Sequence, residues 1–284
     1  MQGIKWFIPT ETKVRYIQAL LDVGFDTVDF GSFVSPKAIP QMRDTAEVVS
    51  RLDLSRTRSK LLAIIANLRG AQTAVQFPQI TYLGYPFSVS EIFQMRNTAK
   101  TIAESVELLK QILELAHRHG KETVVYLSMG FGNPYGEPWS PELVAEWVEK
   151  LYRMGVRIMS LSDTIGAATP ETIEYLFGHL IPLYPDVEFG AHLHTHPSNW
   201  YEKIDAAYRS GCRRFDSAIR GFGGCPMAKD ELTGNLPTEK LLNYFHQHRI
   251  PTGLDMKAFE RAYNEALEVF SGPPTERNIF KQEG

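Results

Sequence analysis

A repeated alternation constrains this chain more than any other feature. Seven short apolar runs, at 25–33, 61–67, 80–84, 123–128, 157–162, 187–194 and 215–219, are rich in β-branched or aromatic residues. Each is followed by a longer segment of helical period, at 39–52, 69–77, 98–119, 141–154, 170–183, 198–210 and 238–248. In 98–119, Ile102, Val106, Leu109, Ile112, Leu113 and Ala116 fall on one stripe, and Gly120 stands where a helix-ending glycine belongs. Ser140-Pro141 and Thr169-Pro170 read as helix starts, with proline at the first helical position. Strict β/α alternation favours parallel strands. With this many units in 284 residues, a TIM-type (β/α)8 barrel is expected rather than an open sheet. The barrel is expected to occupy 1–253, with a C-terminal helix and tail over 254–284.

The start of the chain breaks the pattern. A helical segment at 9–23 has no strand before it, and residues 1–7 are few and interrupted by Gly3 and Lys5. The expectation is that the first barrel strand is missing from this chain. The strands near Phe25 and Phe215 would then carry unpaired edges.

Composition narrows the function classes. A net charge of −3, with no basic block longer than Arg213-Arg214, argues against nucleic acid as a partner. No apolar run approaches the ~18 residues needed to span a bilayer, so no membrane partner is expected. Two cysteines, Cys212 and Cys225, cannot build a disulfide framework, which fits a reducing cytoplasm, and no signal-peptide pattern opens the chain.

In a parallel barrel the reactive groups lie at the C-terminal ends of the strands. His192 and His194 end one run at strand spacing, so their imidazoles point to one face. They suit a divalent metal, or they are two polar residues hydrogen-bonded at a strand end. His196 continues the spacing but falls in the turn before Pro197. Gly221, Gly223 and Gly224 flank Cys225 on a loop that can approach a ligand closely or close as a lid. Cys225 is an acid/base or nucleophile candidate there, or an incidental thiol in a turn. Asn235 offers a carbonyl oxygen to a hard cation or simply forms a turn. Asp163 could orient a ligand or cap its turn. Asp29 lies in an apolar run, and a buried carboxylate there needs a partner.

Together, Ser32–Lys37, Pro40-Gln41-Met42, Ser162–Gly166, His192-Leu193-His194, Gly221–Pro226 and Gly234-Asn235-Leu236 strongly resemble the 3-hydroxy-3-methylglutaryl-CoA lyases, from Met1 to about Gly253. These belong to a wider group of metal-dependent TIM-barrel lyases and acyl synthases. The resemblance implies His192, His194 and Asn235 as metal ligands, for Mg²⁺ or Mn²⁺, with Zn²⁺ also compatible. It implies Cys225 as the catalytic thiol, Asp163 as a residue supporting catalysis, and His192 at the reacting centre. Asp29 stands where these lyases usually have Glu. Their strand ending in Arg-Asp, which supplies a charge stabiliser and a further metal ligand, would lie upstream of Met1. Thr195 and His196 follow the histidine pair where Asp or Asn is usual, and Met129 and Asn133 stand where some lyases have Cys. The implied activity is cleavage of a small acyl-CoA to acetyl-CoA and acetoacetate, and a homodimer is the expected assembly. A condensing enzyme or aldolase of the same barrel group, and an inactive barrel, are the alternatives.

Overall fold

The structure is a computed structural model and describes residues 1, 3, 4, 6–223 and 233–271. The elements run α1 (Thr10–Val23), β1 (Thr27–Ser32), α2 (Thr45–Ser50), β2 (Lys60–Ile64), α3 (Leu68–Ala74), β3 (Ile80–Ser88), α4 (Glu91–Thr98), α5 (Ile102–Arg118) and β4 (Glu122–Ser128). There follow α6 (Pro141–Arg153), β5 (Ile158–Ser162), α7 (Pro170–Leu183), β6 (Glu188–His192), β7 (His194–Thr195), α8 (Trp200–Arg209), β8 (Arg214–Asp216), β9 (Gly234–Asn235), α9 (Thr238–Gln247) and α10 (Met256–Phe270).

Seven strands form one parallel sheet in the order β1-β2-β3-β4-β5-β6-β8. It is the curled wall of a TIM-type barrel. Among the described residues β1 and β8 end the sheet without pairing to each other, and those before Thr10 form no strand. The expected alternation therefore appears, with β1 and β8 as the two edges.

Alternation along each strand sorts the side chains into two layers. Outward residues such as Val28, Phe30, Leu61, Ala63, Leu83, Val125 and Leu161 pack with the helices into one large core. Inward, Leu62, Tyr82, Val124 and Ile158 form a small apolar floor, with Ile64 and Tyr126 packed against it. Gly84 belongs to this inner layer. A Cβ there would stand 2.6 Å from Ile64 Cδ1 and 2.9 Å from Leu62 Cδ2, so its absence makes room for larger neighbours.

Helix starts follow the local sequence. The side chains of Asn67, Ser90, Thr101, Ser140 and Thr169 accept from backbone N–H groups in the first turns of α3 to α7. The 254–284 region contributes α10, whose Ala258, Phe259, Ala262, Ala266 and Val269 share an apolar cluster with Tyr16 and Val23 of α1.

Some expected boundaries move. The 98–119 helix begins later, as α5 at Ile102 capped by Thr101, and α4, which the sequence reading did not expect, precedes it and ends where Ala99 takes a left-handed conformation (φ 55°). The 39–52 helix shortens to α2, preceded by a 3-10 turn at Pro40–Met42. β3 runs four residues past Gly84 to Ser88, through Pro86, which lies opposite Tyr126.

Two helical glycines give opposite expectations. A Cβ on Gly70 in α3 would fall 2.3 Å from the main-chain oxygen of Phe33, which cannot swing aside, whereas one on Gly178 in α7 meets nothing within 4 Å. Gly70→Ala should destabilise by about 1–3 kcal/mol through overpacking. Gly178→Ala should stabilise by up to about 1 kcal/mol, from helix propensity. Urea unfolding of both variants against the parent checks the two signs.

Candidate functional site

The mouth of the barrel is built by register. Ser160, Gly190 and Arg214 lie in one row across β5, β6 and β8, and Ser162, His192 and Asp216 in the next. Ser160 Oγ donates to Asp216 Oδ2 at 2.8 Å, and His192 Nδ1 lies 3.2 Å from the same oxygen. This orients the His192 ring and leaves its Nε2 for another partner. Burial works to raise the Asp216 pKa, but His192, Arg214 and Ser160 outweigh it and hold the carboxyl below its ordinary range.

His194, two residues on, lies outside that sheet. β7 pairs antiparallel with β9, placing His194 opposite Asn235, and Leu236 N donates to Leu193 O at 3.1 Å. The two imidazole centroids stand 5.7 Å apart. Burial, helped by the nearby His192, depresses the His194 pKa to about 4, so its ring is neutral at physiological pH. Its Nδ1 is buried with no hydrogen-bond partner. Asn235 Nδ2 donates to Phe222 O at 2.9 Å, which fixes the amide and leaves its oxygen as the acceptor.

The glycines before Asn235 have a definite task. Gly221 and Gly223 take φ of +65° and +93°, and Cβ atoms on them would meet Asn235 O at 2.7 Å and Asn235 Nδ2 at 2.8 Å. They let the chain close on the amide. Cys225 and Gly224, expected on the same loop, lie outside the described residues.

Of the roles open to Asp163, the structure shows the turn-holding one: it is buried and both carboxylate oxygens are engaged. Oδ2 accepts from Lys203 Nζ at 2.7 Å and Oδ1 from Ala168 N at 3.0 Å. It holds the turn after β5. Asp29 faces the hollow of the sheet, with its side chain exposed there and its carboxylate meeting the Gly31 N–H. It still lies deep enough that burial pushes its pKa up to about 7, and the charge of Asp216 adds to the rise. Met129 is buried at the end of β4 with φ 59°, its N–H on Thr164 Oγ1 at 2.8 Å, and Asn133 Oδ1 accepts from Tyr135 N and Glu137 N. Both shape loops.

Asp216, Ser160 and Lys203 escape a reading of the sequence alone. Asp216 carried one usable signal, a carboxylate inside an apolar strand run. Nothing in the spacing reveals that it sits opposite a residue 24 positions away.

The donor chemistry fits a divalent cation: two imidazoles, that of His194 neutral, and one amide oxygen, with an unpartnered buried nitrogen among them. Among the described residues no group of three or more His, Cys, Asp and Glu is placed to hold a metal, and the third donor of this set is an asparagine. No helix among the described residues is long and apolar enough to cross a membrane.

Fold and mouth together define a barrel protein of the enzyme type, with polar groups converging at the C-terminal ends of its strands. The HMGL-like family model matches residues 1–265, and the chain belongs to that family of lyases. A hydroxymethylglutaryl-CoA lyase of Bacillus subtilis is 31% identical over 98% of this chain and 92% of its own length, and the crystal structure of the enzyme from that species gives a TM-score of 0.89 over 99% and 94%. A 3-hydroxy-3-isohexenylglutaryl-CoA/hydroxymethylglutaryl-CoA lyase of Pseudomonas aeruginosa is 33% identical over 91% of this chain and 85% of its own. The HMG-CoA lyase of Acinetobacter baumannii, solved with coenzyme A and 3-methylmalate, is 31% identical with a TM-score of 0.86, covering 94% of this chain and 87% of that one.

The neutral state of His194 predicts a pH effect on stability. Its folded pKa of about 4 lies below the unfolded value of 6.5, so between these the unfolded chain binds the extra proton. Stability is unaffected above pH 6.5, falls as the pH drops to 4, and loses nothing further below. In chelator-treated protein this accounts for about 3 kcal/mol between pH 7 and 4. Denaturant melts of the parent and His194→Gln at both pH values should show the variant losing less, by about that amount.

Proposed function

We propose that this protein cleaves a carbon–carbon bond in 3-hydroxy-3-methylglutaryl-CoA or a close 3-hydroxy-3-alkylglutaryl-CoA, yielding acetyl-CoA and a 3-oxo acid, with Mg²⁺ or Mn²⁺ as cofactor. The observation that carries this reading is the pairing of His194 with Asn235 beside His192, which gathers two imidazole rings and one amide at the barrel mouth. Family membership supports the reaction class.

His192, His194 and Asn235 would hold the cation. When bound, a divalent cation supplies Lewis-acid polarisation of the substrate's oxygens. The chain's own groups do the rest. Asp216 fixes the His192 ring through Nδ1, and burial keeps His194 unprotonated. Asp29, in the wet hollow with a pKa near neutrality, is matched to accept the proton of the substrate's tertiary hydroxyl. As that O–H bond breaks, its electrons form the ketone, the adjacent C–C bond opens, and the electron pair passes to the thioester as an enolate. Cys225 is assigned to return a proton to that enolate, a role that rests on the resemblance of its glycine-rich segment to that of the lyases.

The test is an assay of the full chain with Mn²⁺ on 3-hydroxy-3-methylglutaryl-CoA, following acetyl-CoA and acetoacetate in equal amounts. The isohexenyl homologue and a set of 2-hydroxy and 2-oxo acids serve as competing substrates. Absence of cleavage, with turnover of a 2-oxo acid instead, would overturn the reading in favour of an aldolase. His194→Ala should lose Mn²⁺ binding and turnover together, and Mn²⁺ titration at parental affinity would remove it from the ligand set. Cys225→Ala should keep Mn²⁺ but slow turnover by ~10²-fold or more, as loss of an acid/base group does.

A further inference from the structure

One buried ion pair reaches both backbone carbonyls of the histidine pair. Lys203 enters from α8 and is 1% exposed, as is Asp163. Its Nζ donates to Asp163 Oδ2 at 2.7 Å, to Gly166 O at 3.2 Å and to His194 O at 2.9 Å. Asp163 in turn donates its backbone N–H to His192 O at 2.9 Å. Each histidine is thus held through its carbonyl by one member of the pair, and the two members hold each other.

Stability does not explain the arrangement. Removing two charges from water is costly, and a fully buried pair rarely stabilises more than apolar residues of the same volume. A second buried pair, Lys13 with Asp44 at 2.6 Å, carries a similar cost beside α1 and touches neither histidine. What separates Lys203 is its third bond. An ammonium can donate three hydrogen bonds in different directions, and here they go to the turn after β5, to the Asp163 carboxylate and to β7. β6 ends at His192 and β7 begins at His194, with only Leu193 between. The sheet ladder that fixes His192 therefore does not fix His194; among the described residues β7 pairs with the two-residue β9, and the His194 ring meets the Thr164 backbone and the Asn235 side chain. Lys203 adds a restraint on the His194 main chain from the helix side.

We infer that Lys203 is a positioning residue that sets the separation and tilt of the His192 and His194 imidazoles, making them a preformed pair of ligands. The inference rests on the metal-binding reading above, but it concerns the arrangement of the rings whether or not a cation is present.

The test uses the full chain and removes both buried charges at once, because Lys203→Met alone would strand a buried carboxylate. The K203M/D163L variant is compared with the parent, with K203R, and with K13M/D44L as a control for the loss of a buried pair elsewhere. Two readouts are taken: ¹⁵N-histidine spectra of chelator-treated protein, and Mn²⁺ titration. In the folded K203M/D163L variant, the His192 and His194 ring signals should shift and broaden, and Mn²⁺ affinity should drop ~10–100-fold, the usual scale for a group that orients a ligand. K203R, which keeps a buried donor facing His194 O, should recover part of that loss. K13M/D44L should change thermal stability while leaving the histidine spectra at parental positions. Parental ring signals in K203M/D163L would overturn the inference. A parent that binds no Mn²⁺ would sink the metal reading instead, and the histidine spectra would then decide the role of Lys203 by themselves. If K203M/D163L does not fold, K203M/D163N, which keeps a polar group for Ala168 N, decides by the same spectra: displaced His194 signals in a folded protein support the inference, and unmoved ones overturn it.

Discussion

Register between neighbouring parallel strands is the constraint on which the rest of this molecule depends. Because successive side chains alternate between faces, slipping β6 by one residue against β5 and β8 would turn His192 toward the helices and Ala191 toward the hollow. The observed register is held by unequal neighbours. Gly190 sits between Ser160 and Arg214, and a Cβ on it would stand 2.9 Å from Arg214 Cδ and 3.2 Å from Ser160 Oγ. One missing side chain lets a long cation lie across the inner wall, where it pairs with Glu188 at 2.7 Å, and leaves the serine hydroxyl able to reach Asp216.

The two layers divide the work. The outer layer is almost wholly apolar, and its buried Leu, Val, Ile and Phe side chains supply the main drive to fold. The inner layer is apolar only at its floor. Above that floor stand Tyr126, Ser160, His192, Asp216 and Asp29. The ring of Tyr126 meets that of His192 edge-on at 5.6 Å, and Asp29 is exposed to the hollow with the Gly31 N–H on its carboxylate. Polar groups gathered in a concave site are disposed toward a ligand, and they stand at the mouth rather than in the floor.

The fold was largely legible in the amino acids because the period of hydrophobicity switches between two and about 3.6 residues along the chain. The stripe from Ile102 to Ala116 and the caps at Ser140 and Thr169 come back as helices. α4 was legible only in retrospect. Glu91–Thr98 has Phe93 and Gln94 as its buried residues, so it shows little stripe, and its start depends on Ser90 accepting from Phe93 N. The candidate site was legible where it rests on local spacing, as with His192 and His194. It was hidden where it rests on pairing between distant segments. Nothing in the sequence places Lys203 under His194 or Asp216 beside His192. Asp163 stayed ambiguous for the same reason, since a carboxylate at a strand end looks alike whether it meets a substrate or a lysine on a helix 40 residues away.

The glycines ahead of Asn235 have a consequence for how this site can vary. Position 223 contributes no donor atom, yet any side chain there would collide with the Asn235 amide, and one at 221 would collide with its carbonyl. In a deep mutational scan these two positions should be as intolerant as the asparagine itself, although neither offers an atom to a ligand. The binding chemistry of this mouth is inherited partly as empty volume, and a catalogue of donor residues would miss that half of it.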